Sequence, residues 1–336
     1  MLECMNCLKR LLPLVIIFYV LASCSSNQDP RIPSFDPGDI PEVKIHNYGK
    51  ALLSIPPDNF KAGLLAIQEE YRFFLDGDLN DTLNVLRLRE FVSDPLIRSL
   101  ADECERKFPD PGMLEDSLGL MFAYYAHHIP GANLPEVFTY ISGLNYENPV
   151  QLRNNHLIIG LDMFLGAETP WYAQVGMPAF MAHRCTPAHI LPACAGTLAA
   201  LHNTRSSQED LLGAMIHEGK RLYFMQMLVP SSPDERIIGY TPAQLEWCQA
   251  NEEKLWAFLV ENELLYSPDL SAFNRMMQDG PFTTSFGSES APRPGHWIGW
   301  MIVRSYMRKH SEISIADLMK KTDAHALFQD AAYRPR

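Results

Sequence analysis

The run His217-Glu218-Gly219-Lys220-Arg221 holds two side chains that could act on a bound water. In an H-E-x-x-H zinc hydrolase the two histidines sit one helical turn apart and bind the metal side by side, while the glutamate between them polarises the metal-bound water. Here Arg221 stands at the second histidine position. A guanidinium has donors but no lone pair, and its permanent charge repels a cation at the ligand site. His217 and Glu218 are therefore candidates for metal binding and water activation with one ligand missing. An H-E pair alone occurs often by chance, so spacing by itself favours an exposed helix face over a metal centre.

Other groups that could do chemistry are less well arranged. His183 and His189 flank Cys185 in a loop-rich stretch, a set that binds metal only if the fold gathers it. His127 and His128 close a predicted helix, where a protonated ring suits the negative helix end. Trp297, Trp300 and Tyr306 fall at successive helical turns. Such an aromatic face reads first as core and, as the sharper alternative, as an interaction face for a partner. Ser290 and Ser305 lack a G-x-S-x-G context, and no Gly-rich phosphate loop or dinucleotide fingerprint is present.

The chain carries 28 basic and 40 acidic residues, a net charge of −12, which argues against nucleic acid as a partner. Leu21-Ala22-Ser23-Cys24 reads as a lipobox, preceded by Lys9, Arg10 and the apolar run Leu11 to Ala22, which is too short to span a bilayer. The expectation is a signal peptide over residues 1–23 and acyl chains such as palmitate on Cys24. Several such chains give durable attachment to a membrane surface. Cys104, Cys185, Cys194 and Cys248 remain in the mature chain, either as disulfides, for which three pairings exist, or as buried thiols.

Residues 24–57 are rich in Pro, Asp and Ser and read as a tether with one short strand near Glu42 to Ile45. A helical series follows, with Asp94-Pro95 and Asp110-Pro111 as helix starts. Val137 to Ile141 and Leu157 to Leu161 read as two adjacent strands. The C-terminal half is helical again. Starts are expected at Ser207 with Asp210, at Thr241-Pro242 with Gln244, at Ser267-Pro268 and at Pro294. The second of these helices is expected to continue through Leu259. The fold class is α+β, predominantly helical, with a small sheet supplied by the middle of the chain.

Several blocks resemble the gliding-motility lipoprotein GldB family of the Bacteroidetes. They are Ile216 to Phe224, Gly239-Tyr240-Thr241, Gln244 to Cys248 and, most specific, His296-Trp297-Ile298-Gly299-Trp300-Met301-Ile302-Val303-Arg304-Ser305-Tyr306-Met307. Ile159 to Gly166 and Gly176 to Phe180 fit as well, so the likeness spans roughly residues 141–333. That resemblance implies a cell-envelope lipoprotein of the gliding-motility and type IX secretion machinery, with envelope proteins as partners. It also implies distant gluzincin-like kinship, hence a zincin-like, degenerate metallopeptidase fold within a GldB-like domain over 58–336. Its helical part would cover 58–130 and its zincin-like part 131–336. In such enzymes a later-helix glutamate is the third metal ligand, and Glu252 is the position that would take this role. With Arg221 in the ligand set, the expectation is a non-catalytic scaffold without cofactor, held on the exported side of the cell membrane or outer membrane. The alternatives are an active zinc metallopeptidase using His217 and Glu218 with non-standard ligands, and an envelope module that binds peptide or polysaccharide.

Overall fold

β-Branched and aromatic residues build a four-stranded sheet. Its strands are β1 (Ile45–Asn47), β2 (Glu136–Tyr140), β3 (Val150–Arg153) and β4 (His156–Gly160), in the order β1-β2-β4-β3. The computed structural model describes residues 29–335, so the leader and Cys24 lie outside the described residues. β2 runs parallel to both β1 and β4, with Val137 opposite Ile45 and Leu157. β3 pairs antiparallel with β4 through a tight hairpin in which Asn154 and Asn155 both take positive φ, a conformation asparagine tolerates better than most residues. The two strands expected in the middle are thus present and adjacent. They are parallel, and the stretch between them contributes the edge strand β3.

Parallel neighbours need a long connection. Between β1 and β2 it consists of α1 (Tyr48–Leu53), α2 (Phe60–Ile67), α3 (Thr82–Ser93), α4 (Pro95–Lys107) and α5 (Gly112–His128). The helical stretch is therefore a crossover within one sheet, and the chain from Phe35 onward is one compact unit with no division near residue 130. The tether expected to reach residue 57 gives way by Ile45 to β1, and Tyr48 and Leu52 are buried with Phe60, Leu64, Tyr71 and Phe138 in a core cluster. Before Phe35, the described residues include an Arg31–Asp29 ion pair at 3.2 Å.

The second half holds α6 (Trp171–Gln174), α7 (Ile190–His202), α8 (Leu211–Leu228), α9 (Asp234–Ile238) and α10 (Pro242–Ala250). These are followed by α11 (Glu252–Glu261), α12 (Leu270–Met277), α13 (Pro294–Lys309), α14 (Ile315–Lys320) and α15 (Ala324–Ala331). Local caps decide where several begin. Asp94 accepts from the amides of Leu96 and Ile97 to start α4, and Thr241 with Gln244 forms a full capping box for α10. Three expected starts move: Pro111, not Asp110, stands at the N-cap of α5, Asp210, not Ser207, caps α8, and Asp269, not Ser267, caps α12. The helix expected to run through Leu259 breaks at Asn251 into α10 and α11.

α8 is buried on most of its surface, so the exposed-face reading of the His217 helix does not hold. It crosses α13 at a contact only glycine allows. A Cβ on Gly219 would collide with the Gly299 carbonyl, and one on Gly299 with the Met215 carbonyl. Trp297, Trp300 and Tyr306 face this interior and are no more than 3% exposed. The interaction-face alternative is thereby corrected: these rings pack the core around the helix crossing. Cys104, Cys185, Cys194 and Cys248 are all free and buried.

Candidate functional site

The site is built where α8 meets the first turn of α13. His217, Glu218 and Arg221 lie on α8, and His296 enters from α13. The Arg221 Nε donates to Glu218 Oε2 at 2.8 Å, and its Nη1 lies 3.1 Å from Met225 Sδ. Gly196 on the facing α7 leaves room for the guanidinium, since a Cβ there would sit 3.2 Å from Nη1. Burial alone would push the Glu218 pKa up, but the Arg221 charge first, then the field of His296 and the Arg221 hydrogen bond, outweigh it and hold it at about 2. Glu218 is an ionised carboxylate locked to a cation.

His296 stands on the other side of that carboxylate, its Nδ1 3.5 Å from Glu218 Oε2. Its Nε2 lies 3.2 Å from the Met277 carbonyl. A carbonyl only accepts, so Nε2 carries the proton and a neutral ring leaves a lone pair on Nδ1. Burial first, then the positive field of Arg293, pushes the His296 pKa down to about 3. The ring is neutral, and the contact with Glu218 is not an ion pair. His217 is half-buried and also shifted down, mainly by burial. Asn203 Nδ2 donates to the His217 carbonyl at 2.9 Å and lies 3.4 Å from its Nε2.

Glu252, the candidate for a third ligand, is engaged elsewhere. Its Oε2 accepts from Trp297 Nε1 at 3.2 Å and its Oε1 from the Tyr333 hydroxyl at 2.7 Å. It fastens α11 to α13 and to the C-terminal end of the chain, and the later-helix residue beside Glu218 is His296. Among the described residues no group of three or more His, Cys, Asp and Glu side chains is assembled to hold a metal ion. The donor set does not fit a zinc centre, because Arg221 binds the carboxylate oxygen that a metal-bound water would need. The His183 ring nitrogens lie against the Phe180 and Gly239 carbonyls, His189 pairs with Thr186, and the Cys185 thiol lies 3.8 Å from the Met181 carbonyl and 3.9 Å from the Met177 sulfur. These three do not converge.

Two cavities open from the cluster. Glu218, His217 and His296 line one of about 580 Å³, with Asp210 and Phe273 among its other walls. Arg221 lines a second of about 750 Å³. The ion pair thus has one member on each cavity. Sequence reasoning missed the buried Arg293, whose backbone adopts φ 49°, and its support. Arg293 Nη2 donates to the Ile238 and Gly239 carbonyls, and Asp279 bridges Arg293 and Arg184. The available signal was an arginine and a histidine bracketing the first turn of a Pro-started helix, at Arg293 and His296.

No curated protein and no solved structure matches the chain. A family model described as gliding motility protein GldB matches residues 31–335, extending the likeness through the crossover helices and β1. The chain belongs to the gliding motility protein GldB family.

Proposed function

We propose that this protein is a lipid-anchored component of the gliding-motility and type IX secretion machinery of the cell envelope, and that it works through protein contacts without catalysis. Family membership supports the machinery, and the leader with its lipobox supports export and attachment through Cys24. The observation that carries the non-catalytic reading is the 2.8 Å bond from Arg221 Nε to Glu218 Oε2. It supports the reading that a fixed cation has taken the position of a second zinc-binding histidine and that Glu218, bonded to it, no longer acts as a general base. A degenerate metallopeptidase lineage accounts for the surviving His217-Glu218 pair.

Cells lacking the protein should regain motility and secretion when supplied with the Glu218→Gln variant, and should not when supplied with Cys24→Ala, which moves the protein out of the membrane fraction. Stoichiometric zinc in the purified wild type, lost with His217→Ala, together with casein cleavage lost with Glu218→Gln, would establish the enzyme instead.

A further inference from the structure

The larger cavity is unusual in its charge. Five arginines line it, Arg153, Arg184, Arg221, Arg236 and Arg293, against a single acid, Glu147, in a chain whose net charge is −12. Some of this charge is neutralised locally. Glu218 serves Arg221, and the one carboxylate of Asp279 serves both Arg184, through two hydrogen bonds of 2.8 and 3.0 Å, and Arg293 at 3.1 Å. One positive charge of that trio is left over, and Arg236 is exposed, with no side-chain hydrogen bond or ion pair among the described residues. His189 lies on the same wall. Burial and the fields of His183, Arg236 and Arg184 push its pKa down to about 4. Its Nε2 and the Nε of Arg184 are buried without a hydrogen-bond partner.

The remaining wall is apolar and adaptable. Met163, Met177, Met181 and Met225 line it beside Phe164 and Ile237. Thioether side chains repack around variable apolar shapes more readily than branched ones. A volume of about 750 Å³ lies within the range of small-molecule sites, which join an apolar lining to a few fixed polar groups. Guanidinium groups match oxyanions in two-point hydrogen bonding, whereas a cationic or neutral head would leave the surplus charge unanswered.

We propose that this cavity binds a small amphipathic anion, its carboxylate or phosphate head held at Arg184, Arg236 and Arg293 and its aliphatic tail among the methionines. The site stands apart from the scaffold role and does not depend on it. The test titrates octanoate, octyl phosphate and octyltrimethylammonium calorimetrically into the full chain in nanodiscs, with empty nanodiscs as the blank. One anion per chain should bind, the tighter of the two identifying the head group, and the cation should not. Arg236→Gln, at an exposed unpaired position, should weaken anion binding at least tenfold, as should Ala200→Trp, at an exposed position on the cavity wall. Circular dichroism should show both variants folded. The proposal is overturned if neither anion saturates at one site, if the cation binds as tightly, or if both folded variants bind like the wild type.

Discussion

A carboxylate taken out of water ordinarily holds its proton more tightly, yet Glu218 is pushed the other way, chiefly by the charge of Arg221 beside it and less by His296 and the Arg221 hydrogen bond. His296 cannot substitute for that cation. It stays neutral down to about pH 3, and its Nδ1 turns a lone pair toward the carboxylate. Arg221 is therefore the residue that makes a charged Glu218 tolerable beside a neutral imidazole. Between the unfolded value of 4.5 and the folded value of about 2, the unfolded chain carries a proton that the folded chain lacks, so acid favours unfolding. The stabilisation is complete above pH 4.5 and gone below pH 2, and its full size is about 3 kcal/mol. Urea unfolding should find Arg221→Gln less stable by about 2 kcal/mol at neutral pH, below the range for a fully buried pair because 26% and 21% of the two side chains stay exposed. The curves for variant and wild type should converge as pH falls from 4.5 toward 2. Curves that stay parallel would show that the pair contributes nothing to acid stability.

At the scale of elements, the site depends on how closely α8 and α13 approach. Replacing Gly219 or Gly299 by alanine raises helix propensity by about 1 kcal/mol, but the added methyl meets backbone rather than a movable side chain. Overpacking of that kind costs about 3 kcal/mol and exceeds the gain. Thermal melts should place Gly219→Ala and Gly299→Ala well below wild type. Gly38→Ala, which meets nothing within 4 Å, should melt within error of it. This crossing also explains what could be read from residue order and what could not. Thr241-Pro242 with Gln244 is a local signal, and the capping box is present as expected. Nothing next to Gly219 in the sequence signals its role, because the glycine that requires its smallness lies 80 residues on. Ser207 and Asp210 are both acceptable caps, and only the fold decides for Asp210, whose second oxygen lies 2.6 Å from His325 Nε2. Strand direction was hidden too, because β1 and β3, each of four residues or fewer, carry too little pattern to declare their partners.

Across the whole molecule the candidate cluster was half readable. His217, Glu218 and Arg221 are neighbours in sequence, while Asp279, Arg293 and His296 are brought to them only when α12 and α13 pack against α8. The same helix carries a second tertiary tie on its other side. Lys220 is 2% exposed, and its ammonium donates to the carbonyls of Thr204 at 3.0 Å, Met319 at 3.3 Å and Lys321 at 2.7 Å. It joins α8 to the end of α7 and to the end of α14, where free carbonyls and the helix dipole favour a cation. Among the described residues no carboxylate pairs with it, and burial lowers its pKa from 10.5 to about 8. Between those two values the folded chain has released a proton that the unfolded chain still holds, so stability rises with pH across the window. Below pH 8 both states are protonated and the burial cost is constant. Comparison with Lys220→Met isolates this group from the tyrosines that titrate at higher pH. From pH 8 to 10.5 the unfolding free energy of the wild type should gain on that of the variant by up to about 3 kcal/mol. A difference that stays flat over that range would mean that Lys220 keeps its proton and that the three carbonyls outweigh the loss of water.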